Sequence, residues 1–254
     1  IKLALEINPT ISHNSTYSYS FITGLEKENN PISPDYHYNK YLKAKQLGYF
    51  LISVFDWYDR EKIVDLIKSK LKILPNRIYA RKCEIKEIAD NKLVRAFLNE
   101  NHLQNWTNSS IKLGLFYNDE LLQIATFGRP RRNKNYQWEL IRICSKKDWL
   151  IVGGESKLTS FFRQNYTAPK DKIMSYENLD ISQKDGRRSP SYGIWINKEG
   201  RIISCTSVLM RGASRMIGDS NFEKYPYGKY NNEEIMIREG YVKVYNCGNV
   251  IVEI

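Results

Sequence analysis

The sequence predicts an α/β (α+β) fold of mixed sheets with flanking helices, and three observations support this class. Short runs rich in Val, Ile, Leu and Phe, typical of strands, alternate with segments of helical periodicity. Turn signals such as Asn118-Asp119 separate other strands directly. The 254 residues are 42% hydrophobic, which is enough for more than one core. We predict three parts, at residues 1–76, 77–198 and 199–254.

The first part begins with a strand that places Glu6 and Asn8 on one face, with Leu3, Leu5 and Ile7 on the other. A polar stretch at 14–35 predicts a long loop. Next come a helix at 36–47 with Tyr38, Leu42 and Ala44 inward, the buried strand Tyr49–Phe55, and a helix capped by Asp59 whose apolar stripe is Ile63, Val64, Ile67 and Leu71. The chain begins at Ile, inside the first strand, so we expect a fragment that starts late.

The second part predicts a strand at 77–87 and a helix capped by Asp90. It continues with a hairpin of strands 111–116 and 121–127, a strand at 137–144, a helix opened by Gly153-Gly154, and strands at 173–176 and 192–196. The third part predicts a strand at 201–204, a short helix at 233–238, and a hairpin at 241–252 that turns at residues 247–249.

The charge balance favours a polyanionic partner. With 39 basic and 28 acidic residues, the formal net charge is +11, and 18 tyrosines and five tryptophans accompany it. Basic side chains gain affinity by releasing counterions from phosphate, and aromatic rings stack on bases, so we expect double-stranded DNA as the partner. A solvated lysine-rich surface is the alternative. Four widely spaced cysteines predict no zinc site and a reduced cytoplasmic protein, and no apolar run predicts a membrane span.

Glu6 is the first candidate for chemistry, because a strand normally avoids an unpaired buried carboxylate. It either faces solvent or holds a positive group. His13 follows seven residues later, and its intrinsic pKa near neutrality suits a general base, although a structural histidine is the alternative. His37 and Lys40 lie one helical turn apart and can meet a phosphate, or they form an ordinary solvated pair. Asp56 ends the following strand.

These residues carry a family resemblance. The order Glu6-x-Asn8-x4-His13, then Tyr36-His37-x2-Lys40, then the strand ending Phe55-Asp56 resembles the very-short-patch-repair endonuclease superfamily, and more closely the EDxHD homing endonucleases of phages. The resemblance implies a restriction-endonuclease-like mixed sheet, with Glu6 and Asp56 as ligands of Mg²⁺ or Mn²⁺. It also implies catalytic roles for Glu6, His13, His37 and Lys40, and a site of action in the cytoplasm of a phage-infected bacterium.

Gly153-Gly154 in the second part is a candidate phosphate site. A glycine pair at a helix start exposes free N–H groups and the positive end of the helix dipole, and Ser156 and Lys157 follow in the first turn. A tight turn explains the same glycines equally well.

A second resemblance covers residues 78–198. Asn101-His102-Leu103-Gln104, Thr126-Phe-Gly-Arg129, Glu139-Leu-Ile-Arg142-Ile-Cys144 and Val152-Gly-Gly-x-Ser156-Lys157 occur in that order. As a set they resemble a GNAT-like domain of phage homing endonucleases that is related to Mom-type DNA modification proteins. The resemblance implies a DNA-binding or accessory module. It alternatively implies a base modifier that binds acyl-CoA at the Gly153-Gly154 helix.

Several basic residues are candidates for DNA contact. One group lies between two predicted strands, beside aromatic residues, and two further pairs follow along the chain. The group comprises Arg129, Arg131, Arg132, Lys134 and Tyr136, and the pairs are Arg187 with Arg188 and Arg211 with Arg215. The leading hypothesis is a phage-type homing endonuclease whose C-terminal parts bind the target. A Mom-like base modifier and a catalytically decayed DNA-binding or assembly protein are the alternatives.

Overall fold

The computed structural model describes residues 2–9, 33–130, 133–188, 194–196, 202–205 and 242–254. These residues form a mixed α/β structure, which confirms the predicted fold class. The strands are β1 (Lys2–Asn8), β2 (Tyr49–Phe55), β3 (Asn76–Tyr79), β4 (Glu84–Glu87), β5 (Ile111–Tyr117), β6 (Glu120–Gly128), β7 (Trp138–Ser145), β8 (Trp149–Val152), β9 (Ile173–Asn178), β10 (Arg187–Arg188), β11 (Ile194–Ile196), β12 (Ile202–Cys205), β13 (Val242–Val244) and β14 (Asn249–Glu253). The helices are α1 (Tyr36–Gln46), α2 (Arg60–Leu71), α3 (Asn91–Asn101) and α4 (Gly154–Tyr166), with a 3-10 turn at Ala80–Lys82.

The chain folds as two compact units. The first contains the described residues of 1–57 and 177–250, and the second contains those of 58–176 and 251–254. Helix α2 groups with the second unit, and the C-terminal segment is divided between both units. The first unit is therefore assembled from segments far apart in the sequence.

In the first unit, β1 and β2 pair in parallel, with Glu6 opposite Ser53 and Asn8 opposite Phe55. The polar face of β1 is the inner one: Asn8 is fully buried, whereas Leu5 is 49% and Ile7 70% exposed. A strand whose polar side chains point inward departs from the usual pattern of burial. This inward orientation places Glu6 and Asn8 where they can contact other polar groups inside the unit.

Helix α1 turns a different face inward from the one predicted. His37 and Tyr41 are buried, while Leu42 is 36% exposed, so the predicted inward set of Tyr38, Leu42 and Ala44 is wrong. The helix follows the polar strand face, and a histidine fits against a carboxylate and a serine better than a leucine does. Gly48 adopts φ 76° directly after the helix, which suits the predicted terminator.

The predicted hairpin at 241–252 is wrong. Strand β13 pairs with β11 in a three-stranded sheet of order β12-β11-β13, whereas β14 lies beside β10 and β9. The residues between the two strands are tied to Asp180 instead of forming a tight turn, as Asn246 Nδ2 and the Cys247 backbone N–H both donate to its carboxylate. These contacts direct the two strands into different sheets.

The second unit is built around the strand order β9-β7-β6-β5-β4. Neighbours from β4 to β7 are antiparallel, and β9 runs parallel to β7. Asn118 and Asp119, with φ of 49° and 60°, form the tight turn between β5 and β6, which confirms that prediction. Helix α4 packs on this sheet, where the Phe127 and Phe162 rings stack at 3.7 Å between centroids.

Both predicted helix caps are present. Asp59 Oδ1 accepts the backbone N–H of Glu61 at 3.0 Å, and Asp90 Oδ1 accepts that of Lys92 at 2.7 Å. The apolar stripe predicted for α2 is only partly buried, since Val64 is 42% and Leu71 40% exposed. The strand predicted at 77–87 is interrupted by the 3-10 turn, and β8 was not predicted.

Two predicted features lie outside the described residues, namely the loop at 14–35 up to residue 32 and the helix at 233–238. Among the helices described above, none is long and apolar enough to cross a membrane.

Candidate active site

Glu6 lies on the inner face of β1, where the parallel register places Ser53 beside it. The Ser53 hydroxyl donates to Glu6 Oε2 at 3.4 Å, and the Glu6 side chain is 17% exposed. A carboxylate this far from water needs a compensating positive or donor group. Of the two alternatives open from the sequence, solvent exposure therefore does not apply to Glu6.

Helix α1 supplies the positive group. Lys40 Nζ forms an ion pair and hydrogen bond with Glu6 Oε1, and His37 Nδ1 lies 3.9 Å from Glu6 Oε2. Burial by itself would lower the pKa of Lys40, but the hydrogen bond and the charge of Glu6 outweigh burial and raise it. The structure thus brings three sequence-predicted residues together. We call Glu6, His37, Lys40 and Ser53 the Glu6 cluster.

The members of the Glu6 cluster differ in access to solvent. Lys40 is 41% exposed and its ammonium lies 4.7 Å from the centre of the Tyr36 ring, whereas His37 is fully buried. The His37 ring contacts the rings of Tyr36 and Phe55 edge-on, at centroid distances of 5.0 and 5.1 Å. A fully buried imidazole cannot touch a DNA phosphate, so the predicted phosphate contact falls to Lys40. His37 is placed to position Glu6.

Asn8 adds a second unusual feature to the same strand face. Its side chain has no exposed surface, and neither polar atom of its amide has a hydrogen-bond partner within the described part of the chain. Burying an amide without a partner costs about 1–3 kcal/mol, so such groups are concentrated where they serve a function. Asn8 lies on the same inner face of β1 as Glu6, two residues further along the strand.

Asp180 forms a buried support beneath the Glu6 cluster that the sequence did not reveal. Its carboxylate accepts from Asn246 Nδ2 and the Cys247 N–H, each at 2.9 Å, and its backbone carbonyl accepts the Ser53 N–H at 2.8 Å. Cys247 Sγ lies 3.4 Å from the His37 carbonyl oxygen and 3.8 Å from Ser53 Oγ. Burial raises the pKa of Cys247 well above its usual value, so the thiol stays protonated. Only the long-range fold brings residues 180 and 247 to Ser53, and no local motif signals it.

The described residues do not complete a metal site. Glu6 and the Asn8 amide oxygen are ligands of the type Mg²⁺ prefers, but Lys40 already neutralises Glu6. Asp56, the other predicted ligand, is exposed at the end of β2. Within the described ranges no three His, Cys, Asp or Glu side chains are grouped closely enough to hold a metal ion. His13, the predicted base, lies outside those ranges.

The predicted DNA contacts divide into engaged and available groups. Arg188 is engaged: it pairs with Asp35 Oδ1 at 2.7 Å, and its guanidinium lies 3.7 Å from the centre of the Tyr38 ring. Arg129 donates to the Gln137 carbonyl at 3.1 Å and covers the Trp138 ring at 4.3 Å. Lys134 and Arg187 are exposed and Tyr136 is half-buried. The predicted contacts that lie outside the described residues are Arg131, Arg132, Arg211 and Arg215.

At the start of α4, the predicted phosphate-binding residues are used in packing. A Cβ at Gly154 would lie 1.7 Å from Gln123 Oε1, so close packing requires this glycine. Lys157 Nζ donates to the carbonyls of Ala80 at 3.0 Å and Cys83 at 2.6 Å. Gly153 adopts φ 78°, and Ser156 is exposed. These contacts favour the tight-turn interpretation over an acyl-CoA site.

His102 and Cys144 belong to the second resemblance, and both are uncharged at neutral pH. Burial, with the charges of Arg142 and Lys62, lowers the pKa of His102 to about 3. Burial also raises the pKa of Cys144 to about 12. The imidazole is thus neutral and the thiol protonated. Lys62 Nζ donates to the carbonyls of Asn99 and His102, so its role is to hold the end of α3.

Comparison with known proteins gives no family assignment. No protein-family model matches the chain, and no curated protein sequence matches it significantly. Among the described residues, the Glu6 cluster combines a partly buried carboxylate, an accessible lysine and a buried histidine.

Proposed function

We propose that this chain is a DNA endonuclease of the homing type, which hydrolyses phosphodiester bonds at the Glu6 cluster. The observation that carries the proposal is the Glu6–Lys40 pair on the polar inner face of β1, with Lys40 open to solvent and His37 buried behind Glu6. A net charge of +11 favours a polyanionic substrate. The cytoplasm of a phage-infected bacterium is the expected place of action.

Lys40 is the residue we expect to touch the scissile phosphate. An ammonium group has three N–H donors, so Lys40 can keep its bond to Glu6 and still donate to a phosphate oxygen. Glu6 raises the pKa of Lys40, which keeps the ammonium charged at neutral pH. A fixed positive charge stabilises the extra negative charge that develops on phosphorus oxygens in the transition state.

His37 and Ser53 act through Glu6. The Ser53 hydroxyl donates to Oε2 and the buried His37 ring lies 3.9 Å from that oxygen, while Lys40 holds Oε1. Restricting both oxygens fixes the direction in which Lys40 presents its remaining donors. The proposed general base, which removes a proton from the attacking water, is His13.

Mg²⁺ or Mn²⁺ is the proposed cofactor on the strength of the resemblance alone. Since the described residues contribute one neutralised carboxylate and no complete ligand set, no step of the chemistry is assigned to the metal. Cleavage in Mg²⁺ or Mn²⁺, compared with cleavage in EDTA, measures whether the reaction depends on a metal ion. Target binding is assigned to the exposed basic residues Lys134 and Arg187, and also to Arg129.

The test is cleavage of supercoiled plasmid and phage genomic DNA by the chain. Reactions contain Mg²⁺, Mn²⁺ or EDTA. The variants are Lys40→Met and His13→Ala, and Lys43→Met, on the exposed side of the same helix, is the matched control. We expect discrete cleavage that Lys43→Met retains and that each of the other two reduces at least about hundredfold. Equal activity of the Lys40 and Lys43 variants would refute the proposed site.

A non-catalytic DNA-binding or assembly protein is the second candidate. It is favoured by the ion pair that neutralises Glu6 and by the incomplete ligand set among the described residues. DNA binding without cleavage, in all three reaction conditions, would establish this function in place of the first.

A further inference from the structure

Residues Arg77, Tyr79 and Arg81 form an exposed surface on the second unit that no sequence motif indicated. Burial alternates along this stretch: Ile78 and Ala80 are 7% and 3% exposed and face the core, while the residues on either side of them face solvent. Strand alternation directs Arg77 and Tyr79 to one side, and Arg81, in the 3-10 turn that follows, is exposed beside the Tyr79 ring. We call these three residues the Arg77 surface.

The tyrosine holds both guanidinium groups. The guanidinium carbons of Arg77 and Arg81 lie 5.6 and 5.1 Å from the centre of the Tyr79 ring, which is itself 44% exposed. Both distances are within the range of cation–π attraction. The two cations are thus held within about 11 Å of each other.

Neither cation is neutralised by a residue of the described ranges. Within the described part of the chain, Arg77 and Arg81 make no hydrogen bond or ion pair, in contrast to Arg129, which donates to a carbonyl, and Arg188, which pairs with Asp35. Their planar donor forks are therefore available, and such forks match phosphate oxygens in a bidentate manner.

The backbone beneath the surface is fixed. Strand β3 pairs in parallel with β8, with Arg77 opposite Leu150 and Tyr79 opposite Val152. Lys157 Nζ ties down the following turn through the carbonyls of Ala80 and Cys83. A surface held in this way loses little conformational entropy when it binds.

We propose that the Arg77 surface binds the phosphate backbone of duplex DNA. Duplex DNA carries about one charge per 1.7 Å of its axis, so any stretch about 11 Å long offers phosphates to both cations. The proposal rests on the proposed function only in taking DNA as the partner. It gives the second unit a share in holding the substrate that does not depend on catalysis.

The test measures binding without cleavage. The full chain is titrated against a short fluorescein-labelled duplex of mixed sequence, by anisotropy in EDTA, over a series of salt concentrations. The variant is Arg77→Gln with Arg81→Gln. The control is Lys92→Gln with Lys170→Gln, which removes the same charge from exposed sites of the same unit. Thermal unfolding verifies that both proteins are folded.

We expect the arginine pair to weaken binding about tenfold at low salt and to reduce the slope of log K against log salt by about 2, since each lost phosphate contact removes about 0.9. The lysine pair is expected to change the slope by less than half as much. Tyr79→Ala keeps both charges, so the slope stays and the affinity falls about threefold.

Equal slopes for the two double variants would overturn the proposal. So would wild-type affinity in the arginine variant. If the arginine pair loses affinity while the wild-type chain fails to cleave DNA, the Arg77 surface stands and the nuclease proposal falls. If cleavage is seen and the two double variants bind alike, the surface falls alone.

Discussion

The Glu6 cluster and the start of helix α4 contain similar ingredients, yet the fold uses them differently. Each has a lysine near a polar strand or helix end, and each was predicted to meet a phosphate. At the Glu6 cluster the lysine is 41% exposed and keeps free donors. At the start of α4, Lys157 donates to two backbone carbonyls, and the Gln123 side chain occupies the space next to Gly154.

The contrast between Lys40 and Lys157 shows that residue type and spacing do not by themselves identify a phosphate site. What matters is whether the groups remain available after the fold has satisfied its own carbonyls and carboxylates. Lys157 stabilises the turn beneath it, while Lys40 is held in place by a partner and still reaches solvent.

The largest effect is expected at the support of the Glu6 cluster. Asp180→Ala removes a buried carboxylate that accepts from Asn246 and from the Cys247 backbone, and it leaves both donors buried. We expect a loss of about 4 kcal/mol in the free energy of unfolding. Chemical denaturation measures it. Asp185→Ala is the control, since that 91%-exposed carboxylate pairs only at the surface with Lys45 and should cost less than about 1 kcal/mol.

The next effect tests packing at α4. Gly154→Ala places a methyl group against the end of the buried Gln123 side chain, which must shift, so about 2 kcal/mol is expected. Gly153→Ala meets nothing within 4 Å and suffers only from its φ of 78°, so about 1 kcal/mol is expected. Urea unfolding of both variants gives the comparison. If Gly154→Ala were harmless and Gly153→Ala damaging, the glycine pair would need another explanation.

The dependence of stability on pH tests whether His102 is neutral in the folded chain. The pKa of His102 is lowered to about 3 in the folded chain and is near 6.5 when unfolded. The unfolded state therefore takes up a proton first, and stability that is fully present above pH 6.5 is lost as the pH falls towards 3. Between pH 7 and 5 the loss is about 2 kcal/mol.

His102→Gln removes this dependence. The difference between the wild-type and variant unfolding free energies, measured at pH 7 and pH 5, is the relevant quantity. A wild-type chain whose stability falls no faster than that of the variant would contradict the assignment of a neutral, buried His102.

The smallest effect on stability separates the two lysines. Lys157→Met leaves two turn carbonyls without their donor and should cost about 1 kcal/mol while DNA cleavage is unchanged. Lys40→Met leaves the 17%-exposed Glu6 carboxylate without its cation and should cost about as much, yet it should reduce cleavage at least about hundredfold. Thermal unfolding and plasmid cleavage, measured on the same preparations, decide it. The contrast fails if both variants lose activity in proportion to stability.

Local signals predicted the elements that depend on local chemistry. The caps at Asp59 and Asp90, the turn at Asn118-Asp119 and the bounds of β2 follow from neighbouring residues. The inward face of α1 could not be predicted in this way, since it is set by the polar face of β1 rather than by the helix's own apolar residues.

The same limit applies to the candidate site. Glu6, His37 and Lys40 stand out in the sequence through spacing, and the fold brings them together. Asp180 and Cys247 do not stand out, because their contacts with Ser53 join segments more than a hundred residues apart. The predicted hairpin at 241–252 is wrong for the same reason, as a distant carboxylate competes with the turn for its backbone groups.

The division of the first unit between the two ends of the chain has a consequence for synthesis. A chain emerging from the ribosome exposes β1, α1 and β2 first, but Asp180, Asn246 and Cys247 follow only after more than a hundred further residues. The second unit, apart from residues 251–254, is by then available to fold. Strand β1, which carries Glu6, therefore stays without its buried support until residues 246 and 247 have been made.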